Sequence, residues 1–430
     1  MNVGFYRWIL LALLGCTYYF HQADRALFGL FTEPIQRDLG LTASQIGWIN
    51  TALSWTIAAV TPLAGFVGNR FDRKWVIVFS LFFWSLATIA MGFAGEWQVL
   101  GFAVSAFVSV LILRSLATGG GESFYGPSSM AMLARYHEST RSVAFSIHQA
   151  ALYLGLMTCG LLAAWALNVF GSWRNVFGFF GSCGVVLAVV LAMVLKSDRP
   201  ISPPATRNSP PATRNSQLAT SLKAYFCNYR ALLASSGFVA IVFVNNAYLF
   251  WAPKFVVQKY GIDFAQAGKS VLLYHHLFAF AAIIIGGIIT DRAVRRMPRF
   301  RLFFQAASLL LGAPAIAALA VAPSYGTFLV ASSAYGLFRG SFEVNTHASV
   351  FDFIPAEFRS STVGYMLLVA FIIGGLFSGW AMGVLFDRYG MHGFEIGIGF
   401  MASSYVLAAI LTLLPAIFNN NTRLHFHHKI

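Results

Sequence analysis

Twelve predominantly apolar stretches follow one another along this chain, at about 6–30, 46–68, 75–94, 103–134, 141–167, 173–195, 228–252, 264–290, 302–322, 326–352, 360–386 and 392–418. Each is long enough to cross roughly 30 Å of hydrocarbon as an α-helix rising about 1.5 Å per residue. In lipid every backbone N–H and C=O must be satisfied within the segment, so such runs become helices. Only 10% of the 430 residues are charged, and mean hydropathy is +0.68. A soluble domain is about a quarter charged. The reading is an all-α polytopic membrane protein with twelve transmembrane helices. The first stretch contains Asp24 and Arg25 and ends without a small-residue cleavage site, so it reads as a retained span rather than a signal peptide.

A formal net charge of +14 raises the question of nucleic acid, but the positions of the charges answer it. With the N-terminus inside, twenty Lys and Arg fall in the inner segments, six in the outer ones, and Arg25, Arg114 and Arg339 within spans. That bias places both termini in the cytoplasm and excludes a nucleic-acid role. Short loops suggest a cell inner membrane. The four cysteines, Cys16, Cys159, Cys183 and Cys227, sit in or beside apolar runs without metal-ligand spacing. They read as packing residues, with no disulfide expected.

The polar, proline-rich stretch from Lys196 to Ser221 interrupts the pattern. It repeats SPPATRN at Ser202–Asn208 and Ser209–Asn215 and has no apolar face to bury. It reads as an extended or disordered linker. It divides the chain into bundles of six spans, 1–195 and 227–430, around a cytoplasmic linker at 196–226. That layout belongs to transporters built from two related halves.

Few charges lie well inside the spans. Asp24 and Arg25 are in span 1, Arg114 and Glu122 in span 4, and Arg339 and Glu343 in span 10. Each costs a few kcal/mol at mid-membrane depth, so each needs a partner or a function. Asp24 and Arg25, adjacent on a helix, point about 100° apart. Arg114 and Glu122 are about 12 Å apart along a straight helix and about 80° around it, too far to pair. Pairing between spans 1 and 4 is therefore expected. Gly119, Gly120 and Gly121 weaken span 4 and suggest a bend, or a close approach by span 1. A fixed guanidinium suits a carboxylate substrate, and a buried carboxyl beside it can be tuned to exchange a proton. Asp24 and Glu122 are the proton-coupling candidates, and Arg25 and Arg114 the anion-binding ones. Arg339 and Glu343, four apart, share a face and can pair directly. A structural salt bridge and direct ligand contact are both open for them.

Other in-membrane polar groups suit a hydroxylated ligand, although each alone is more often an interhelical hydrogen bond. They include His148, Gln149 and, five residues after His148, Tyr153 in span 5, Asn245 in span 7 and Tyr274 in span 8. His275 and His276 lack the carboxylate or cysteine company of a metal site. No cofactor is expected. The sequence has no nucleophile motif, phosphate loop or appended soluble domain, which weighs against an enzyme or a non-transporting sensor.

Three loops carry related patterns. The first runs from Gly65 through Asn69, Arg70, Asp72 and Arg73 to Lys74. The second runs from Gly286 to Asp291 and Arg292, and the third from Gly383 to Asp387 and Arg388. A small residue with an acidic helix end beside basic neighbours can latch two helices in one conformation and release them in another. Asn69, Arg70, Asp72, Arg73, Asp291 and Arg292 are the latch candidates. These loops resemble the signature loop of the major facilitator superfamily, with Asn69 where an acidic residue is usual.

Span 1 with Asp24-Arg25 and the following Pro34–Gly47 segment, together with Arg114, Gly119–Ser123, Pro127 and Arg141, resembles that superfamily's anion:cation symporter family. That family includes galactonate, hexuronate and sialic acid carriers. The resemblance implies a proton-coupled symporter of a small organic anion, a monomer in the bilayer, working by alternating access. In it Asp24 and Glu122 serve the proton-linked step, and the arginines serve the carboxylate. The same motifs, with Arg73-Lys74-Trp75, also resemble spinster-type carriers of lipid-like substrates, which is the alternative reading.

Overall fold

The computed structural model describes residues 3–199, 212–297, 299–355 and 358–418. Helix α1 (Val3–Leu30) is followed by the short α2 (Thr32–Leu39), then α3 (Ala43–Arg70) and α4 (Arg73–Met91). A hairpin of β1 (Trp97–Val99) and β2 (Phe102–Val104) leads into a broken helix. This consists of α5 (Ala106–Val110), a π-helical stretch Leu111–Thr118, α6 (Gly119–Glu122) and α7 (Tyr125–Tyr136). Next come α8 (Arg141–Phe170), α9 (Trp173–Val194), α10 (Ala212–Phe226), α11 (Tyr229–Tyr260), α12 (Phe264–Val294) and α13 (Phe300–Val321). The chain finishes with α14 (Tyr325–Glu343), α15 (Ala348–Phe351), α16 (Arg359–Leu376), a π-helical turn Phe377–Ala381, α17 (Met382–Tyr389) and α18 (Met391–Ile417).

Among the described residues, nine helices are long and apolar enough to cross a membrane. The other three expected spans are α1, the α5–α7 segment and α14–α15, and these are the ones that carry the intramembrane charges. The elements are helical except for the hairpin, which the sequence reading did not anticipate. Its turn residues, Leu100 and Gly101, have φ of +51° and +84°, as a tight two-residue hairpin turn requires.

Two expectations need correction. The Lys196–Ser221 stretch is not extended or disordered throughout, because helix α10 begins at Ala212 and runs to Phe226, including most of the second repeat. Its beginning is also held: Asp198 is fully buried. Residues 200–211, with the first repeat, lie outside the described residues. The glycine triplet admits other neighbours than the one expected. A Cβ on Gly119 would meet Leu53 of α3, and one on Gly121 would meet Phe83 and Trp84 of α4. The close approach is therefore by spans 2 and 3, not span 1. The bend itself is present, as the π-helical stretch before the triplet and the turn after Glu122.

One hydrophobic cluster runs through both halves of the chain, joining Phe28 and Phe31 to Trp251 and Phe255. Two smaller clusters are confined to one half each, around Tyr6 and Tyr125 and around Tyr225 and Met366. The halves are thus fused at the end of the bundle carrying α2, and a further small cluster of Tyr153 and Met157 with Ala279 continues the contact between α8 and α12.

Candidate functional site

The α1 helix presents Asp24 to the broken helix. Asp24 is 5% exposed and Arg114 2%. Arg114 Nη1 stands 3.7 Å from Asp24 Oδ2, and Arg114 Nη2 donates to the Arg25 carbonyl oxygen at 2.9 Å. The face of Phe28 lies under the guanidinium, 5.5 Å from the ring centre. This is the expected pairing between spans 1 and 4, and its length leaves it loose: Arg114 Nε is buried without a partner.

Thr88 of α4 supports Asp24 from behind. Its Oγ1 is 3.2 and 3.1 Å from the two carboxylate oxygens and 3.0 Å from the Trp84 carbonyl. One hydroxyl hydrogen cannot serve both. With Asp24 ionised, Thr88 donates to the carboxylate. With Asp24 protonated, the acid donates to Oγ1 and the hydroxyl hydrogen turns to the Trp84 carbonyl. The site therefore holds a partner for either protonation state.

Glu122 is buried at the end of α6, and neither carboxylate oxygen receives a hydrogen bond. His21 Nε2 is 3.5 Å from Oε2, and Gln22 Nε2 lies 2.9 Å from His21 Nδ1. A buried carboxyl without donors is costly when ionised. Arg25 makes no ion pair among the described residues; it points away from Asp24 and lies over Phe371 of α16. The expected divergence of Asp24 and Arg25 thus sends one to span 4 and the other to the C-terminal half.

His148 of α8 joins the same region. Its ring stacks on Tyr18 at 4.4 Å, and its Nε2 is 2.9 Å from Tyr125 Oη. The Tyr125 hydroxyl donates to the Leu14 carbonyl at 2.6 Å. Nε2 must then carry the hydrogen, leaving buried Nδ1 as an acceptor with no partner. Gln149 is exposed, one turn before Tyr153 on the same face. Asn245 has a buried Oδ1 without a partner. Tyr274 is 41% exposed in a stripe with Leu277 and Phe278. The structure does not bring it into the cluster.

The C-terminal half carries a second charged group, and it is well satisfied. Arg339 donates to Glu343 Oε1 through Nε at 3.1 Å and Nη2 at 2.7 Å. Its Nη1 faces His275 Nε2 at 3.1 Å. Arg339 has no acceptor, so Nε2 accepts and Nδ1 carries the hydrogen toward the Ser332 carbonyl. Glu343 Oε2 accepts from Tyr153 Oη of α8 at 2.6 Å. This bond joins the two halves of the chain near the bundle centre. Sequence reasoning named Tyr153 only as a neighbour of His148, and it missed His21, Thr88, Tyr18 and Tyr125. Single polar or aromatic residues in apolar helices give no signal until the helices pack. Among the described residues no group of His, Cys, Asp and Glu could hold a metal.

At the α2 end the halves close tightly. Asp387 of α17 accepts from the backbone N–H groups of Ala43 (2.8 Å) and Ser44 (2.7 Å). It thus caps the positive end of α3 across the interface. Gly47 and Gly379 face each other so closely that a Cβ on either would strike the other's carbonyl oxygen. Thr51 donates to the Gly375 carbonyl at 3.0 Å and accepts from Trp380 N–H at 3.0 Å. Trp55 donates to the Ile372 carbonyl at 3.0 Å.

Comparison with known proteins agrees with this architecture. The family model for the Major Facilitator Superfamily matches residues 14–378. The chain belongs to the Major Facilitator Superfamily. Like that family it is a secondary transporter and not an enzyme. It is 25% identical over 309 residues to the probable galactarate/D-glucarate transporter of Bacillus subtilis (strain 168), covering 67% of this chain and 66% of that relative's length. It is 24% identical over 422 residues to the probable sulfoacetate transporter of Cupriavidus necator, covering 93% and 94%. It is 24% identical over 377 residues to protein spinster homolog 1 of Mus musculus, covering 84% and 69%. A bacterial homolog of the human lysosomal transporter spinster, solved inward-facing and unoccupied, superposes with a TM-score of 0.79 at 17% identity, covering 96% and 97%.

The superfamily's loop between spans 2 and 3 is tied down by an unexpected residue. Asp72 caps α4, accepting from Lys74 N–H at 3.0 Å. It also accepts from Asp198 N–H at 2.9 Å and from the Ser197 hydroxyl. Burial would raise its pKa. The Ser197, Asp198 and Lys74 hydrogen bonds and the charge of Arg199 outweigh that, and hold it below the usual carboxylate range. Asp198 in turn pairs with Arg73 (3.1 Å) and Arg135 (2.6 Å). Arg70 is exposed over Phe66. Asp291 and Arg292, near the end of α12 at the equivalent place in the other half, are exposed and make no ion pair among the described residues. The side chains of Asn69 and Arg141 lie outside the described residues.

Proposed function

We propose that this protein is a proton-coupled symporter of a small organic anion, a sugar acid or another carboxylate. It would work by alternating access between six-span halves at 1–195 and 227–430, with both termini cytoplasmic in the cell inner membrane. The observation that carries the reading is the loose buried pair Asp24–Arg114 beside a carboxyl, Glu122, that has no hydrogen-bond donor. A carboxylate substrate competes with Asp24 for Arg114. Protonating Asp24 releases the arginine while Thr88 accepts the new hydrogen. Arg25, with no ion pair of its own, faces the C-terminal half and is placed to hold a second anionic group.

With the termini in the cytoplasm, the end sealed by Asp387, Gly47 and Gly379 is the outer one. A seal at that end is what an inward-facing state requires, and the bacterial spinster homolog was solved inward-facing. The names of the B. subtilis and C. necator relatives support an organic anion. The spinster relatives favour the alternative, an exporter of a lysolipid or other amphiphile.

The test is a proton-flux assay in proteoliposomes against sugar acids, sulfonated acids and lysolipids. Proton uptake with a sugar acid, abolished by Arg114→Ala, is the expected result. Movement of lysolipid alone would overturn the reading.

A further inference from the structure

A groove of about 1120 Å³ opens on the N-terminal half, on the opposite side of the glycine triplet from the charged cluster. Its wall is the outward face of α4, where Trp75, Phe79 and Phe83 are 44%, 63% and 52% exposed. Gly120 lies in its floor, and a Cβ built there would have no atom within 4 Å. The missing side chain gives the groove its depth. Only one end is charged. Arg70, the last residue of α3, and Arg199, just beyond α9, line that end. Both are exposed and neither makes an ion pair among the described residues. Asp72 lines the same end as a carboxylate whose oxygens accept from Lys74, Asp198 and Ser197, and beside it the two arginines leave that end net positive.

We propose that this groove binds an anionic two-chain phospholipid of the surrounding bilayer. Its phosphate rests on Arg70 and Arg199, and an acyl chain runs along Phe79 and Phe83 onto Gly120. The arginines sit at helix ends, the depth at which headgroups lie, and each basic residue near such a surface attracts an anionic lipid by roughly fivefold. A soluble anion would make no use of the aromatic wall. A peptide would bring backbone polar groups into hydrocarbon without partners. A second copy of this chain would set one basic rim against another. Gly121 packs on Phe83 and precedes Glu122, so an occupant of the groove touches the segment that carries the coupling candidate. The site itself is independent of which substrate is carried.

The experiment is native mass spectrometry of the purified full-length protein. It is titrated in parallel with palmitoyl-oleoyl phosphatidylglycerol, its phosphatidylcholine counterpart and lysophosphatidylglycerol. Wild type is expected to retain phosphatidylglycerol at least about tenfold better than phosphatidylcholine. Arg70→Gln with Arg199→Gln should equalise the two. Gly120→Leu, or Gly120→Val if the larger side chain unfolds the protein, should lower retention of both while the arginines remain. Equal retention by wild type would overturn the proposal, as would a preference that survives the double substitution. Retention of the lysolipid in place of the two-chain lipid would also overturn it, because the groove would then hold a candidate cargo.

Discussion

The two intramembrane charge clusters use the same residue types to opposite ends. In the C-terminal half Arg339 gives two hydrogen bonds to one Glu343 oxygen and a third to His275, and Tyr153 occupies the other oxygen. Little is left over for a ligand. In the N-terminal half the ion pair is stretched to 3.7 Å, Glu122 has bare oxygens, and Arg25 makes no ion pair among the described residues. A buried charge network that is fully satisfied holds a structure together. One that is partly satisfied stores the capacity to bind something else. The lesson is that counting charges in a span does not locate a site, whereas counting their unmet hydrogen bonds does.

Arg114→Ala should break this comparison most severely if it is wrong. Removing one member of a buried pair leaves the other uncompensated, at a cost of about 3–5 kcal/mol. Uptake in proteoliposomes should fall by about a hundredfold or more, and near-wild-type uptake would remove Arg114 from the site. Glu122→Gln should abolish accumulation against a gradient while counterflow exchange persists. Accumulation by that variant would move the coupling role elsewhere. In the other half, Arg339→Ala should instead lower thermal stability by several degrees, since Glu343 and His275 lose their shared partner. If counterflow half-saturation rises more than tenfold in a protein of unchanged stability, the C-terminal cluster binds ligand after all.

Tyr153→Phe sharpens the comparison at the point where the halves meet. A hydrogen bond to a charged group contributes about 1.5–3 kcal/mol. Its loss should shift the population away from the present closure of the α2 end by about tenfold or more. Cysteine labelling at position 44, which lies at the sealed end and already carries a side chain, reads that shift. Unchanged labelling would make Tyr153 a bystander.

The fold was legible because lipid allows so few solutions. Runs of twenty apolar residues must be helices, and the described helices begin and end within a few residues of where the hydropathy placed the spans, except that α11 runs eight residues past the expected end of span 7, to Tyr260. The pairs of charges were legible for the same reason, because each is an expensive exception. Helix geometry also ruled out an Arg114–Glu122 bridge and pointed to span 1 before any packing was known. What the sequence hid was the environment. Thr88 is one of many hydroxyls in apolar helices, and only its position behind Asp24 gives it a function. Tyr274 reads from sequence like Tyr153, but the rotation of α12 turns it outward. The glycine triplet advertised a close approach, but not whether span 1, 2 or 3 would make it.

The smallest effect separates the two signature loops. Asp72 is held ionised by its hydrogen bonds, so its folded pKa lies below the unfolded value of about 3.9. A depressed carboxylate pKa contributes stability that is present above the unfolded value and is lost as pH falls through the folded one. The amides of Lys74 and Asp198, which donate to Asp72, should therefore lose protection below about pH 4, after correction for intrinsic exchange. Asp72→Asn should reproduce a few-fold part of that loss at neutral pH, because the oxygen that accepts from both amides loses its charge and the one that accepts from Ser197 becomes an NH2 donor. Asp291 makes no ion pair among the described residues, so Asp291→Asn should leave exchange in its own loop unchanged at either pH. Equal responses in the two loops would mean that both are latched. The asymmetry between the halves would then be confined to the charges inside the membrane.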